Sequence, residues 1–168
     1  MTFLERTFSG TVTYPVCPSH SRKLARRITD VRLVGTPPQP VSVVFDTGSS
    51  SLEFISDECT SCAQPDKFVR SESSTYEPSD FTTTIAFATG GGVNPVISDD
   101  EYVLTLRRGT DTVTVGNVCV PDVTLYTIIN QTAAFNSDPY IGIQGLGSSP
   151  EGFFAALIKM GLPCKTCL

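Results

Sequence analysis

Few residues in this chain have chemistry to offer, and Asp46 is the first of them. It stands at the tip of an apolar run (Val41, Val43, Val44, Phe45) and is followed by Thr47, Gly48 and the hydroxyls of Ser49, Ser50 and Ser51. Small residues let the backbone turn tightly there, and hydroxyls can hold a carboxylate in place. Such an acid is set for general acid–base work on water or a carbonyl. A lone Asp-Thr-Gly is a weak signal, and a satisfied turn aspartate would read the same way. Asp111-Thr112 is followed by Val113, so it lacks the glycine turn. A Ser–His or Cys–His scheme would depend entirely on His20, the single histidine. Cys59/Cys62 and Cys164/Cys167 form two Cys-x-x-Cys pairs, open to reading as a four-thiolate zinc site or as local disulfides. Their separation is far from that of a zinc ribbon.

The elements that would carry these residues are mostly short β segments. Ile28–Val34 and Val41–Phe45 flank a Gly-Thr-Pro-Pro turn, and Thr82–Ala88 leads into a glycine run. Tyr102 to Arg107 alternates apolar and polar residues, Gly109-Thr110-Asp111 is expected to turn the chain into Thr112–Val115, and Val123 to Ile129 alternates again. One helix is expected, with Ser149 as N-cap, Pro150 at its first position, Phe153, Phe154, Leu157 and Ile158 on one face, and Gly161 as the stop. The fold class is therefore all-β with one or two short helices, preceded by a loosely ordered segment at 1–27. At 168 residues there is enough chain for one sizeable core and too little for two. The net charge of −5 provides no basic field for nucleic acid, and no apolar run reaches membrane-spanning length. Arg22-Lys23 and Arg26-Arg27 read as a solvated stretch ahead of the first strand, with a dibasic processing site as the alternative. Six cysteines and an Asn130-Gln131-Thr132 glycosylation sequon point to a secretory route, although the N-terminus lacks the apolar stretch of a signal peptide. An incomplete chain would reconcile the two.

Four motifs in order carry a resemblance. Gly35-Thr36-Pro37-Pro38-Gln39, Asp46-Thr47-Gly48-Ser49-Ser50, Ser73-Ser74-Thr75-Tyr76 and Tyr140-Ile141-Gly142-Ile143-Gln144-Gly145-Leu146-Gly147 follow one another, and Phe153-Phe154 with Leu157-Ile158 come after them. Together they resemble the N-terminal lobe of the pepsin-like aspartic proteases, placing a lobe at 28–163 and a cysteine-containing tail at 164–168. The resemblance implies a single pepsin-like lobe in which Asp46 is catalytic, Thr47 and Gly48 shape its loop, and Ser49 hydrogen-bonds its outer oxygen. It also implies a flap at Phe87, Ala88, Thr89 and Gly90, a small disulfide loop at Cys59 and Cys62, a peptide or protein substrate, and neither cofactor nor metal. Such enzymes use two carboxyls, and this chain carries one Asp-Thr-Gly, so a second lobe is expected as a partner and the isolated chain is expected to be inactive. The departures are specific. Phe87 stands at the flap tyrosine, Glu53 at the tryptophan after the catalytic loop, Ile141 where an acid is usual, and Gln144 in place of an apolar residue. They leave a catalytically inactive peptide-binding module, or a truncated product, as the alternative.

Overall fold

The computed structural model describes residues 29–87 and 101–161. The expected head at 1–27, the tail at 164–168 and flap residues Ala88, Thr89 and Gly90 lie outside them. The strands are β1 (Thr29–Val34), β2 (Gln39–Asp46), β3 (Leu52–Ile55), β4 (Glu77–Ala86), β5 (Val103–Val115), β6 (Val118–Gln131) and β7 (Gly142–Gly145), followed by helix α1 (Phe153–Lys159). They form one sheet in the order β1-β2-β7-β3-β6-β5-β4, and β1 also pairs with β5. That extra pairing, Leu33 with Thr114 and Val34 with Val113, closes six of the strands into a barrel-like ring. β4 hangs outside the ring on β5. The protein is an all-β lobe, with one short helix and two 3-10 segments among the described residues.

The core follows from strand alternation. Val41 and Val43 of β2 point inward with no exposed surface, joined by Val34, Leu104, Val113, Val120, Val123 and Leu125. Phe54 and Phe68 meet edge to face at 5.3 Å between ring centres, and Tyr76 meets Phe68 in the same way at 5.7 Å. Phe54 and Phe68, fully buried, each contribute roughly 2–3 kcal/mol by removal of apolar area from water. A cation–π stack fixes α1 to the ring: the Arg32 guanidinium lies 5.0 Å from the Phe45 ring centre and 5.3 Å from that of Phe153.

Three local expectations are corrected. No turn interrupts β5 at Gly109, which pairs with Pro78 and Leu125 inside a continuous strand. A Cβ at Gly109 would come within 2.9 Å of the Tyr76 ring, so the glycine is there for close packing and not for turning. The hairpin turn is instead at Gly116–Asn117, with Gly116 at φ +58°. The helix starts after Gly152 and not at Ser149, whose hydroxyl accepts from the Glu151 N–H at 3.3 Å in a local turn. Its stop is as expected, at Gly161 with φ +74°. Of the four residues on its apolar face Phe153 is buried, whereas Ile158 is 55% exposed.

Candidate active site

Asp46 is the last residue of β2, set parallel to β7 and opposite Gly145. The carboxylate is half-buried, and its Oδ1 accepts the Gly48 N–H at 2.9 Å. Three backbone bonds join its loop to the segment after β7. Leu146 N–H donates to the Asp46 carbonyl at 2.7 Å, Gly145 N–H to that of Ser51 at 2.7 Å and Gly147 N–H to that of Ser49 at 2.9 Å. Such an approach requires glycine at 145, where a Cβ would lie 2.4 Å from the Ser50 nitrogen. Thus the two motifs that the sequence set about a hundred residues apart form one unit, with Asp46 at its outer face.

The remaining motifs form a second hydrogen-bonded unit, around Asp111. Gly35, at φ +90°, lets the β1–β2 turn run against Ser73, which a Cβ there would meet at 2.7 Å. The Thr36 N–H donates to Ser73 Oγ at 3.1 Å, and the Ser74 N–H to the Thr36 carbonyl at 2.8 Å. Asp111 ties both to β5. Its Oδ2 accepts from Ser73 Oγ at 2.9 Å, and its Oδ1 from Thr75 Oγ1 at 2.6 Å and the Thr112 N–H at 2.7 Å. Asp111 lacks the glycine of a second Asp-Thr-Gly. It is a buried structural acceptor, and the signal was the hydroxyl run Ser73-Ser74-Thr75. Gln39 spans the same region with its side-chain amide, donating to the Val69 carbonyl and accepting the Val69 N–H, both at 2.8 Å.

Beneath the Asp46 loop the interior is polar. Glu53 has no exposed surface, and its Oε2 accepts from Ser51 Oγ at 2.5 Å. Its Oε1, Gln144 Oε1 and Ser49 Oγ are buried and make no hydrogen bond among the described residues. The bond expected from Ser49 to Asp46 is therefore not formed in this structure; the loop brings the Gly48 N–H to the carboxylate instead. Burial pushes the Glu53 carboxyl up to about 7, the Ser51 hydrogen bond pulling it down and the charge of Asp46 adding to the rise. The sequence marks Glu53 as a departure from the family pattern but carries no signal of its burial or of its electrostatic link to Asp46.

Phe87 is half-buried, its ring edge-on to Phe135 at 5.9 Å and its N–H donating to the Tyr102 carbonyl at 2.8 Å. Cys59 and Cys62 are joined to each other, which takes both sulfurs out of any zinc-binding thiolate set. Cys119 is also disulfide-bonded. Asn130 is exposed on β6, its Oδ1 accepting from Ser61 Oγ at 2.5 Å. Among the described residues no helix is long and apolar enough to cross a membrane.

An all-β ring presenting one glycine-braced aspartate at the junction of two parallel strands defines the N-terminal lobe of an acid protease. The family model for eukaryotic aspartyl protease matches residues 28–156, and the chain belongs to that family. It is 34% identical to rhizopuspepsin-2 of Rhizopus niveus over 115 residues, 68% of this chain and 27% of that protein. Pepsin B of Canis lupus familiaris is 40% identical over 89 residues, 52% of this chain and 20% of that protein. Pepsin-2B of Gadus morhua is 34% identical over 116 residues, covering 67% and 32%. The chain thus spans a third or less of these relatives.

Proposed function

We propose that the chain is one lobe of an aspartic endopeptidase and contributes Asp46 to a pair of carboxyls that hydrolyses peptide bonds. The observation that supports this best is the bracing of Asp46 by the Gly48 N–H and by the backbone of Gly145 to Gly147. In such a pair two neighbouring acids cannot both ionise, so they share one proton. The ionised member takes a proton from a water molecule as the water attacks the scissile carbonyl, while the protonated member donates to the carbonyl oxygen. Thr47 and Gly48 shape the loop and Ser49 supports it, Phe87 through Gly90 form the flap over an extended peptide, and Asn130 carries a glycan acquired on a secretory or vacuolar route.

The second carboxyl comes from a second lobe, whether that is another part of the protein, a separate chain or another copy. Among the described residues no carboxyl is hydrogen-bonded to Asp46. Glu53 feels its charge, yet has no exposed surface with which to touch a substrate. The isolated monomer is accordingly inactive. The test is cleavage of a general protein substrate between about pH 3 and 6, with and without a statine-type inhibitor. Activity at monomeric concentration that disappears in Asp46→Asn overturns the need for a second lobe, and a rate rising with the square of concentration identifies a self-pair. A second reading, a peptide-binding module without turnover, is favoured by Phe87 and Glu53, where flap and wall lack their usual partners. Statine-type ligands binding the chain without cleavage under any pairing would select it.

A further inference from the structure

Two kinds of contact hold the loop that presents Asp46. One is backbone: the carbonyls of Ser49 and Ser51 accept from the N–H groups of Gly147 and Gly145. The other is a single side chain. Among the described residues Ser49 Oγ is buried and makes no hydrogen bond, whereas Ser51 Oγ meets Glu53 Oε2 at 2.5 Å. Glu53 is itself immobilised: on β3 it stands between Ile143 of β7 and Tyr126 of β6, with no exposed surface. Ser51 is therefore fixed twice, by its carbonyl to the strand end opposite Asp46 and by its hydroxyl to a carboxyl packed inside the sheet. The second tie depends on protonation. A buried carboxyl keeps its proton unless a cation answers its charge, and among the described residues none is paired with Glu53. Its other oxygen, Oε1, is buried without a donor, which costs a carboxylate more than a neutral acid.

We propose that Glu53 is a positioning residue for Asp46: as the neutral acid it anchors the Ser51 hydroxyl, and with it the loop that aims the Asp46 carboxylate, and on ionising it releases that loop. Ionised Glu53 gains hydration only if the loop above it opens. Ser50 and Ser51 border a cavity of about 190 Å³, which has room for several water molecules once they move. The surrounding groups oppose the charge or leave it unanswered. Asp46 at the end of β2 repels it, Tyr126 on β6 and Ile143 on β7 bring no charge, and Glu151 near Tyr126 is offset by Arg108. Burial raises Glu53 to about 7 in the closed loop, while a hydrated Glu53 returns to the usual 4.5. Opening thus becomes about tenfold easier for each pH unit between those values and levels off above them. As a device that confines the lobe to acid it rests on the protease reading; as a tie on the loop it does not.

The test is NMR of the whole chain without substrate, between about pH 5 and 8. It follows the Gly48 amide proton, which reports the bond to Asp46 Oδ1, and the exchange protection of the Gly145 and Gly147 amides. Protection should fall about a hundredfold from about pH 5 to 7 and then stay level. Glu53→Gln is neutral at every pH and still able to accept from Ser51, so it should keep the Gly48 shift and lose the pH dependence. Ser51→Ala cuts the tie while leaving Glu53 buried. At about pH 5 it should lose about tenfold in loop protection and move the Gly48 proton upfield. A Glu53 that only packs the interior would change unfolding stability without moving that proton. Flat protection in the natural chain, the same slope in Glu53→Gln, or an unmoved Gly48 proton in Ser51→Ala overturns the proposal. Should Glu53→Gln not fold, the natural chain and Ser51→Ala decide it. A confirmed tie in a chain that cleaves nothing under any pairing leaves the proposal standing and sinks only the protease reading.

Discussion

A carboxyl with no exposed surface, as at Glu53, sits comfortably only while neutral or while a cation is at hand. Burial raises its value in the folded chain to about 7, above the 4.5 usual for a glutamate. A carboxyl raised on folding contributes stability that is fully present below the unfolded value and lost as pH rises through the folded one. The loss between those limits is about 3 kcal/mol. Urea unfolding should therefore show the chain weakening from pH 4.5 to above 7, with Glu53→Gln flattening that slope. A slope unchanged in the variant would mean that other groups carry it. Asp46 was legible in the sequence because an acid ending an apolar run before glycine has a recognisable pattern. The burial of Glu53 was not, because β3 is four residues long, Leu52 to Ile55, and all four are buried. Period-two alternation carries no information in a strand covered on both faces. Gly145 is the matching case for backbone. Gly145→Ala places a methyl 2.4 Å from the Ser50 nitrogen, which has no side-chain freedom with which to yield. It should destabilise by about 3 kcal/mol or more and displace the Asp46 loop, readable by thermal unfolding together with the chemical shift of the Asp46 carboxyl.

At the scale of elements, Asp111 connects the β1–β2 turn, the segment before β4 and β5 through the Ser73, Thr75 and Thr112 donors. Asp111→Ala leaves two hydroxyls and a backbone N–H without their acceptor and should cost about 3 kcal/mol or more, since bonds to a charged group are the stronger ones. A loss below about 0.5 kcal/mol, in the range of ordinary surface changes, would show that the tie contributes little. Strand existence was readable for β1, β2, β5 and β6, because each carries an apolar pattern of adequate length, and for β4 only in its second half from Thr82, its first half being exposed and polar. β3 and β7 were not, being four residues each and recognisable only through the partners they pair with. The supposed turn at Gly109 failed for a comparable reason. A glycine on its own does not say whether it serves the conformation of its own backbone or the ring of Tyr76 lying over it. The helix start misled because Ser149 and Pro150 suit a cap, while the chain spends those residues on a local turn and begins α1 after Gly152, at φ +94°.

For the whole molecule, the four motifs spread along the sequence prove to be two hydrogen-bonded units, one under Asp46 and one around Asp111. Their order made the family legible; which motif grips which was not. Phe45 and Leu146, on either side of Asp46, are 40% and 43% exposed. In the proposed bilobal enzyme the second lobe covers them, so the chain alone should self-associate through this edge. Phe45→Ser combined with Leu146→Ser should shift sedimentation toward monomer, and an unchanged distribution would place the sticky surface elsewhere. Ring closure through β1 and β5 has a kinetic consequence as well. Opening any strand of that ring breaks pairing on two sides, whereas β4 is secured along one side only. Amide deuteration should accordingly divide into two rate classes, with the outward-facing amides of Glu77–Ala86 exchanging long before those of β2 or β6, so that the strand leading to Phe87 can swing while the platform under Asp46 stays shut.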